Sequence, residues 1–225
     1  MPNVSVHFLC EALAAAAAAV ESQVSLLNDL DAAVGDGDHG TTVARGFKRA
    51  MEALAGLTAE SDARSTTGPA AILTLVGHAL LSMGGASGPL FATMFLEAGK
   101  AAGSAIEVSP KLAAALLTAA SEGVRQRGGA TLGDKTLYDA LAPAADAVRQ
   151  ASAAGQDLAT ALEAGARAAH AGAEATRGMT GRRGRAGFAG ERAIGHPDPG
   201  ATTVAVILGA IAQHCRKYGA SAGAS

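Results

Sequence analysis

Residues 11–20 read Glu11-Ala12-Leu13-Ala14-Ala15-Ala16-Ala17-Ala18-Ala19-Val20, and Ala12–Val20 is the longest uninterrupted apolar run in the chain. Ala is the strongest helix former because it loses no side-chain freedom on entering a helix. It supplies 57 of the 225 residues, whereas aromatic residues make up only 3% and Trp is absent. β-Branched residues are also scarce, which argues against a mostly β protein, and an all-α fold is expected. The hydrophobic fraction of 49% is that of a globular chain with a packed core. A run of nine is about half of what a membrane span needs, so no membrane segment is expected. The N-terminus shows neither a basic leader nor a cleavage site, so no signal peptide is expected. With 18 Lys+Arg against 20 Asp+Glu the net charge is −2, which gives no general grip on nucleic acid. Cys10 and Cys215 are then expected as reduced thiols of a cytoplasmic protein, and neither belongs to a zinc-binding spacing.

Outward from that run, the spacing of Ala, Leu and Val predicts eight helices over 5–30, 41–56, 68–83, 87–102, 109–126, 134–153, 156–176 and 200–218. Ser109-Pro110 reads as an N-cap followed by proline at the first helical position, and Gly68-Pro69 restarts the chain after the polar run Thr58–Thr67. Pro143 should kink the sixth helix or split it. The expected architecture is one domain over 1–218, a bundle or closed ring of antiparallel helices, with a frayed tail over 219–225. Ala buries little area, so stability must come from many modest contacts and from the Leu, Ile, Val, Met and Phe positions. Four Gly-rich interruptions concentrate the polar residues: 35–42, 84–89, 127–135 and 177–200. A rigid helical scaffold carries function on such loops.

The first interruption is the most informative. Asn28-Asp29-Leu30-Asp31-Ala32-Ala33-Val34-Gly35-Asp36-Gly37-Asp38-His39-Gly40-Thr41-Thr42 packs four Asp into ten residues. A solvated turn is the bland reading, but like charges packed this tightly repel unless a cation sits among them. Asp31, Asp36 and Asp38 converge if a helix ends near Asp31 and the glycines fold the chain back. Hard carboxylate oxygens select Mg²⁺ or Ca²⁺. An EF-hand fails, because counting from Asp36 puts Phe47 where its bidentate Glu belongs. Gly35-x-Gly37-x-x-Gly40 mimics a dinucleotide fingerprint, but it follows a helix rather than a strand, and bare carboxylates would repel a pyrophosphate. With divalent ions between them, the same acids become a phosphate site. Thr41 and Thr42 then stand at a helix N-terminus that favours anions. No Walker A sequence is present.

The other interruptions suit the same ligand. Gly84-Gly85-Ala86-Ser87-Gly88-Pro89 is either a tight turn with Ser87 as N-cap or a cradle of backbone amides for phosphate. Gly128-Gly129-Ala130-Thr131-Leu132-Gly133-Asp134-Lys135-Thr136-Leu137 offers Asp134 as a helix cap, while Lys135 and Thr136 fit a nucleotide neighbourhood. Arg177–Gly200 carries five arginines, which suit a polyanion, against a plain flexible basic loop. Asp198-Pro199-Gly200 leads into the last helix and is placed to cap it while touching a ligand. His39 and His196, each alone, read as structural.

Taken in order, Leu27–Asp31 running into Gly35-Asp36-Gly37-Asp38-His39-Gly40-Thr41, then Gly85–Leu90, Gly133–Thr136, and Gly184-Arg185-Ala186 through Gly190–His196 to Asp198-Pro199-Gly200-Ala201, resemble the L-type, nucleotide-binding module of dihydroxyacetone kinases over nearly the whole chain. The resemblance implies an eight-helix up-and-down barrel with the nucleotide, ADP or ATP, at one end. It implies two Mg²⁺ ions held by Asp31, Asp36 and Asp38. It places nucleotide contacts at His39, Gly40, Thr41, Thr42, Ala86, Ser87, the Gly129 region, Leu137, Arg185, Asp198, Pro199 and Gly200. Leu137 replaces a Met usual in relatives, and Gly187-Phe188-Ala189 departs from a Ser-Tyr-Leu type of sequence, which bears on how the lid packs.

In that family the triose sits on a separate K-type subunit or domain, as a hemiaminal on a histidine. The resemblance therefore implies one subunit of a split kinase that requires a K-type partner. Of the two energy sources in the family, the phosphotransferase-linked one is expected, in which a phosphohistidine-carrying M-type subunit rephosphorylates resident ADP. A homo-oligomer stays open. In this reading Asp31, Asp36 and Asp38 do no proton chemistry, and Arg185 offsets charge as the phosphoryl group moves. The alternatives are transfer to another ketose or tetrose, transfer to an acyl carboxylate on a lipid-binding partner, or a non-catalytic nucleotide sensor that binds a regulator.

Overall fold

The computed structural model of the chain describes residues 5–59 and 68–222. Helices α1 (Val6–Ser22), α2 (Val24–Ala32), α3 (His39–Ala59), α4 (Pro69–Leu81), α5 (Gly88–Ala102), α6 (Pro110–Gly128), α7 (Tyr138–Ala153), α8 (Leu158–Ala175), α9 (Gly184–Ala189) and α10 (Pro199–Ala222) follow one another, with no strand among the described residues. The local signals act as their chemistry dictates. Ser109 Oγ accepts the Leu112 amide at 3.1 Å with Pro110 behind it, and Pro69 opens α4 after Gly68. Most of the polar run 58–67, and the last residues of the expected tail, 223–225, lie outside the described residues.

The expected eight staves are present, but the first is broken. A 56° bend separates α1 from α2 at Gln23. Ser22 Oγ donates back to the Ala19 carbonyl at 2.8 Å, the kind of local bond that competes with the helical ladder. The staves close into a ring. α1 packs on α3, and each of α3, α4, α5, α6, α7 and α8 packs on the next stave in sequence, until α10 returns to α1. α2 continues the first stave and lies on α3, while α9 stands outside the ring. This is an eight-helix up-and-down barrel, as expected.

The lumen is packed by apolar side chains but is not closed: an apolar cavity lined by Phe8, Leu73, Phe95, Leu116, Leu158 and Ile207 remains inside the ring. Phe47, Phe91, Leu80, Leu141 and Ile207 are buried in one cluster, and Phe8, Val148, Leu158 and Cys215 form a second. Small residues let the staves approach closely. At Gly172 on α8 a Cβ would collide with the Asp139 carbonyl oxygen of α7. That carbonyl is the one Pro143, four residues on and without an N–H, leaves free of its helical bond. Pro143 therefore neither splits α7 nor ends it.

Several boundaries differ from expectation. α7 starts at Tyr138 rather than at 134, and α10 runs to Ala222 rather than 218. The connection 177–199 is folded: 3-10 turns at Thr176–Gly178 and Gly190–Ala193 flank α9, and Ala186, Ala189 and Ala193 pack together beside Val34. No single helix among the described residues is long and apolar enough to cross a membrane.

Candidate functional site

Asp31 ends α2 with its carboxylate buried. One oxygen, Oδ2, accepts the backbone amides of Gly37 and Asp38 at 3.0 Å and of His39 at 3.3 Å. The last two are unpaired donors at the start of α3, so the side chain folds the acidic loop back on itself and serves the helix end. The left-handed φ of +77° at Gly37 makes the reversal possible. The loop thus brings oxygens of Asp31, Asp36 and Asp38 within 4.8 Å of one another. Asp36 and Asp38 are exposed. Oxygen-only donors with two carboxylates open to solvent suit a hard dication such as Mg²⁺.

Arg185 reaches the same spot from the start of α9, and its Nη1 pairs with Asp36 Oδ1. That hydrogen bond holds the Asp36 carboxyl below the usual carboxylate range and raises Arg185 in turn. A cationic side chain thus already offsets part of the charge of the carboxylate cluster.

Behind the cluster, His39 is buried, and its Nε2 lies 2.9 Å from Thr203 Oγ1, which donates to the Pro199 carbonyl at 2.9 Å. The hydroxyl proton is used on the carbonyl, so Nε2 carries the imidazole proton. Burial lowers the His39 pKa to about 4, against the raising effect of Asp31, and the ring is neutral at physiological pH. Asp198 caps α10 through the Ala201 amide at 2.8 Å, as expected. Its burial, with Asp139 adding to the effect, pushes it up to about 7.

Ser87 stands at the N-cap position of α5 but makes no capping bond, which removes the capping explanation for its hydroxyl. Asp134 is likewise not a helix cap: it accepts the Thr131 amide at 2.8 Å and the Thr131 hydroxyl at 3.0 Å, forming a turn. Asp139, one turn on, takes the Thr136 amide at 2.8 Å instead, which is why α7 starts late.

These parts line an open cleft at one end of the barrel. Of the expected residues, Asp31, Asp38, His39, Thr42, Ala86, Ser87, Leu137, Arg185, Asp198, Pro199 and Gly200 line it, and Asp36 stands at its mouth beside Arg185. Three do not line it. Gly40 and Thr41 face α2: a Cβ on Gly40 would collide with the Val24 carbonyl, and Thr41 is tied to Asn28 through bonds of 3.0 and 3.1 Å. Gly129 is the left-handed C-cap of α6, against the Arg183 guanidinium.

Arg183, which the sequence left as one arginine among five, lines the cleft and lies 3.6 Å from Asp134. Lys135 lines it too but is only 1% exposed. Its Nζ donates to the carbonyls of Thr176 and His196, both at 2.6 Å. The sequence signal for Lys135 was its place among glycines before a helix, which says nothing of those distant carbonyls. Phe188 is 91% exposed on α9, clear of any lid packing.

An all-helical ring with one polar cleft, an oxygen-donor cluster at its mouth and an arginine-bearing lid defines the class. Residues 33–213 match the DAK2 domain family. The chain belongs to that family, and the resemblance to the L-type module is borne out. It is 39% identical over 183 residues to the PEP-dependent dihydroxyacetone kinase, ADP-binding subunit DhaL, of Escherichia coli, covering 81% of this chain and 84% of that one. It is 34% identical over 189 residues to the L-erythrulose 1-kinase of Mycolicibacterium smegmatis, covering 84% of this chain and 32% of that one. The crystal structure of the C. freundii dihydroxyacetone kinase in complex with AMP-PNP and Mg²⁺ superposes with a TM-score of 0.70 at 28% identity, over 95% of this chain. The chain spans 35% of the length of that enzyme.

Proposed function

We propose that this chain is the ADP-binding subunit of a split dihydroxyacetone kinase, which transfers a phosphoryl group to dihydroxyacetone held on a K-type partner and draws it from phosphoenolpyruvate through a phosphohistidine-carrying protein. The observation that carries the reading is the convergence of Asp31, Asp36 and Asp38 at the mouth of a cleft lined by the Gly85-Ala86-Ser87 loop and Arg185. The 39% identity to a subunit named for ADP binding in a PEP-dependent kinase supports it.

Asp31, Asp36 and Asp38 would hold Mg²⁺. Bound there, the ion supplies charge neutralisation and alignment for a phosphate chain. Everything else falls to side chains and amides of this chain. Asp31 gives one oxygen to the loop and keeps the other for the cation. The unused Ser87 hydroxyl and the loop amides are placed to bind phosphate oxygens, and Arg185 to balance the charge of the migrating group. Leu137 gives the base an apolar wall. His39, neutral and tied to Thr203, fixes the start of α3 against α10 rather than moving a proton. No group in the cleft is assigned as the base for the sugar hydroxyl, and that proton acceptor belongs to the partner.

The test is reconstitution. The purified chain, mixed with a K-type subunit, dihydroxyacetone and the phosphoenolpyruvate relay, is expected to form dihydroxyacetone phosphate and to carry ADP detectable by mass spectrometry. Retained ADP without transfer from any donor would make the chain a nucleotide sensor instead. A tetrose acceptor is the second reading, favoured by the identity to the L-erythrulose 1-kinase, and erythrulose in the same assay decides between the two.

A further inference from the structure

The arginine-bearing segment 177–195 leaves the barrel after α8 and returns to it before α10, and its two roots lie side by side. The Gly195 amide donates to the Arg177 carbonyl at 2.8 Å, and Arg177 Nη1 donates to the Gly195 carbonyl at 2.9 Å. The Asp198 amide donates to Thr176 Oγ1 at 2.7 Å. Between the roots sits Lys135, a residue of neither. Its ammonium binds the carbonyl of Thr176 at the first root and that of His196 at the second.

Lys135 concentrates two costs in one place. A buried ammonium is costly unless it is fully hydrogen-bonded. Its φ of +60° makes it the only non-glycine with a left-handed backbone among the described residues, a conformation disfavoured for a side chain of this size. With two donors committed to carbonyls, the ammonium is held by the lid roots rather than aimed into the cleft it borders. The Arg182 amide also donates to the Asp134 carbonyl at 3.1 Å, which ties the lid directly to the turn that carries Lys135.

We propose that Lys135 is a positioning residue, whose ammonium staples the two roots of segment 177–195 together so that Arg185 is delivered to the mouth of the cleft. The inference rests on the proposed phosphate role of Arg185. It differs from direct phosphate binding by Lys135, because a staple acts only through the lid.

A double-mutant cycle separates the two. In the reconstituted kinase Lys135→Met and Arg185→Ala are each expected to lower kcat by about tenfold or more. Adding Lys135→Met to Arg185→Ala should change kcat by less than about twofold. Hydrogen exchange on the Lys135→Met chain should show amides of 177–195 exchanging at least about tenfold faster, while α3–α6 keep their protection. Losses that multiply in the double variant, or unchanged exchange in 177–195, would overturn the staple. Should Lys135→Met not fold, Lys135→Gln, which keeps an N–H₂ group for one carbonyl, takes its place. If neither folds, Lys135 is a requirement of the whole barrel and the positioning role is wrong. An inactive wild-type reconstitution would count against the proposed function, leaving the exchange measurement to decide on Lys135.

Discussion

Asp31 is 4% exposed and gives one oxygen to three backbone amides, whereas Asp36 and Asp38 stand in solvent. Truncation should therefore separate building the loop from holding the cation. Asp31→Ala, by leaving buried amides unpaired, should lower the unfolding free energy by about 2 kcal/mol in urea titrations. Asp36→Asn and Asp38→Asn should leave the urea midpoint and helical circular dichroism nearly unchanged, yet abolish Mg²⁺-dependent ADP binding in calorimetry. Equal stability losses for all three would contradict the division.

Two other residues pull stability in opposite directions with pH. Asp198, raised from 3.8 to about 7, contributes stability that is fully present below pH 3.8 and lost as pH rises to about 7. His39, lowered from 6.5 to about 4, contributes stability present above pH 6.5 and lost as pH falls to about 4. In the chelator-treated protein the two slopes nearly cancel between those limits. Asp198→Asn keeps an acceptor for the Ala201 amide and leaves only the histidine slope. Its stability should therefore drop by about 2 kcal/mol between pH 7 and pH 4.5, while the wild type stays nearly flat. Parallel pH profiles for the two proteins would show that Asp198 is not held protonated.

At the scale of elements, Gly172 sets how closely α8 can lie on α7. Gly172→Ala drives a methyl into the Asp139 carbonyl and should cost about 2–3 kcal/mol in denaturant unfolding, since backbone cannot step aside as a flexible side chain can. A neutral substitution would mean that the two helices are not held at that distance. Which elements were legible follows from where their signals reside. Ser109-Pro110 and Gly68-Pro69 fix helix starts through bonds within three residues, and they could be read directly.

The break at Gln23 could not be read, because Glu21-Ser22-Gln23-Val24 holds no glycine or proline to mark a stop, and the Ser22 back-bond to Ala19 is invisible in the sequence. α7 starts late because Asp134 finds Thr131 and Asp139 finds Thr136, a choice between two nearby acids that spacing leaves open. α9 hides among glycines whose helix propensity is poor. In the site, four Asp in ten residues declare themselves by their repulsion. Lys135 does not, because a lysine reads as surface and its two acceptors lie 41 and 61 residues away.

For the molecule as a whole, the ring places every Gly-rich interruption that lines the cleft at one end, so a ligand there touches α2, α3, α5, the turn before α7, α9 and α10 together. Magnesium with ADP should accordingly raise the melting temperature of the entire barrel in one transition, a shift that Asp36→Asn should remove. The account turns on dications sitting among Asp31, Asp36 and Asp38 and drawing a phosphate chain to them. Crystals grown with Mn²⁺ and ADP, measured at a wavelength where manganese scatters anomalously, test this directly. The expected result is anomalous density within about 2.5 Å of oxygens from all three aspartates and against the ADP phosphates, with Arg185 displaced from Asp36. Density elsewhere, or three aspartates turned to solvent with Arg185 still paired to Asp36, would contradict it.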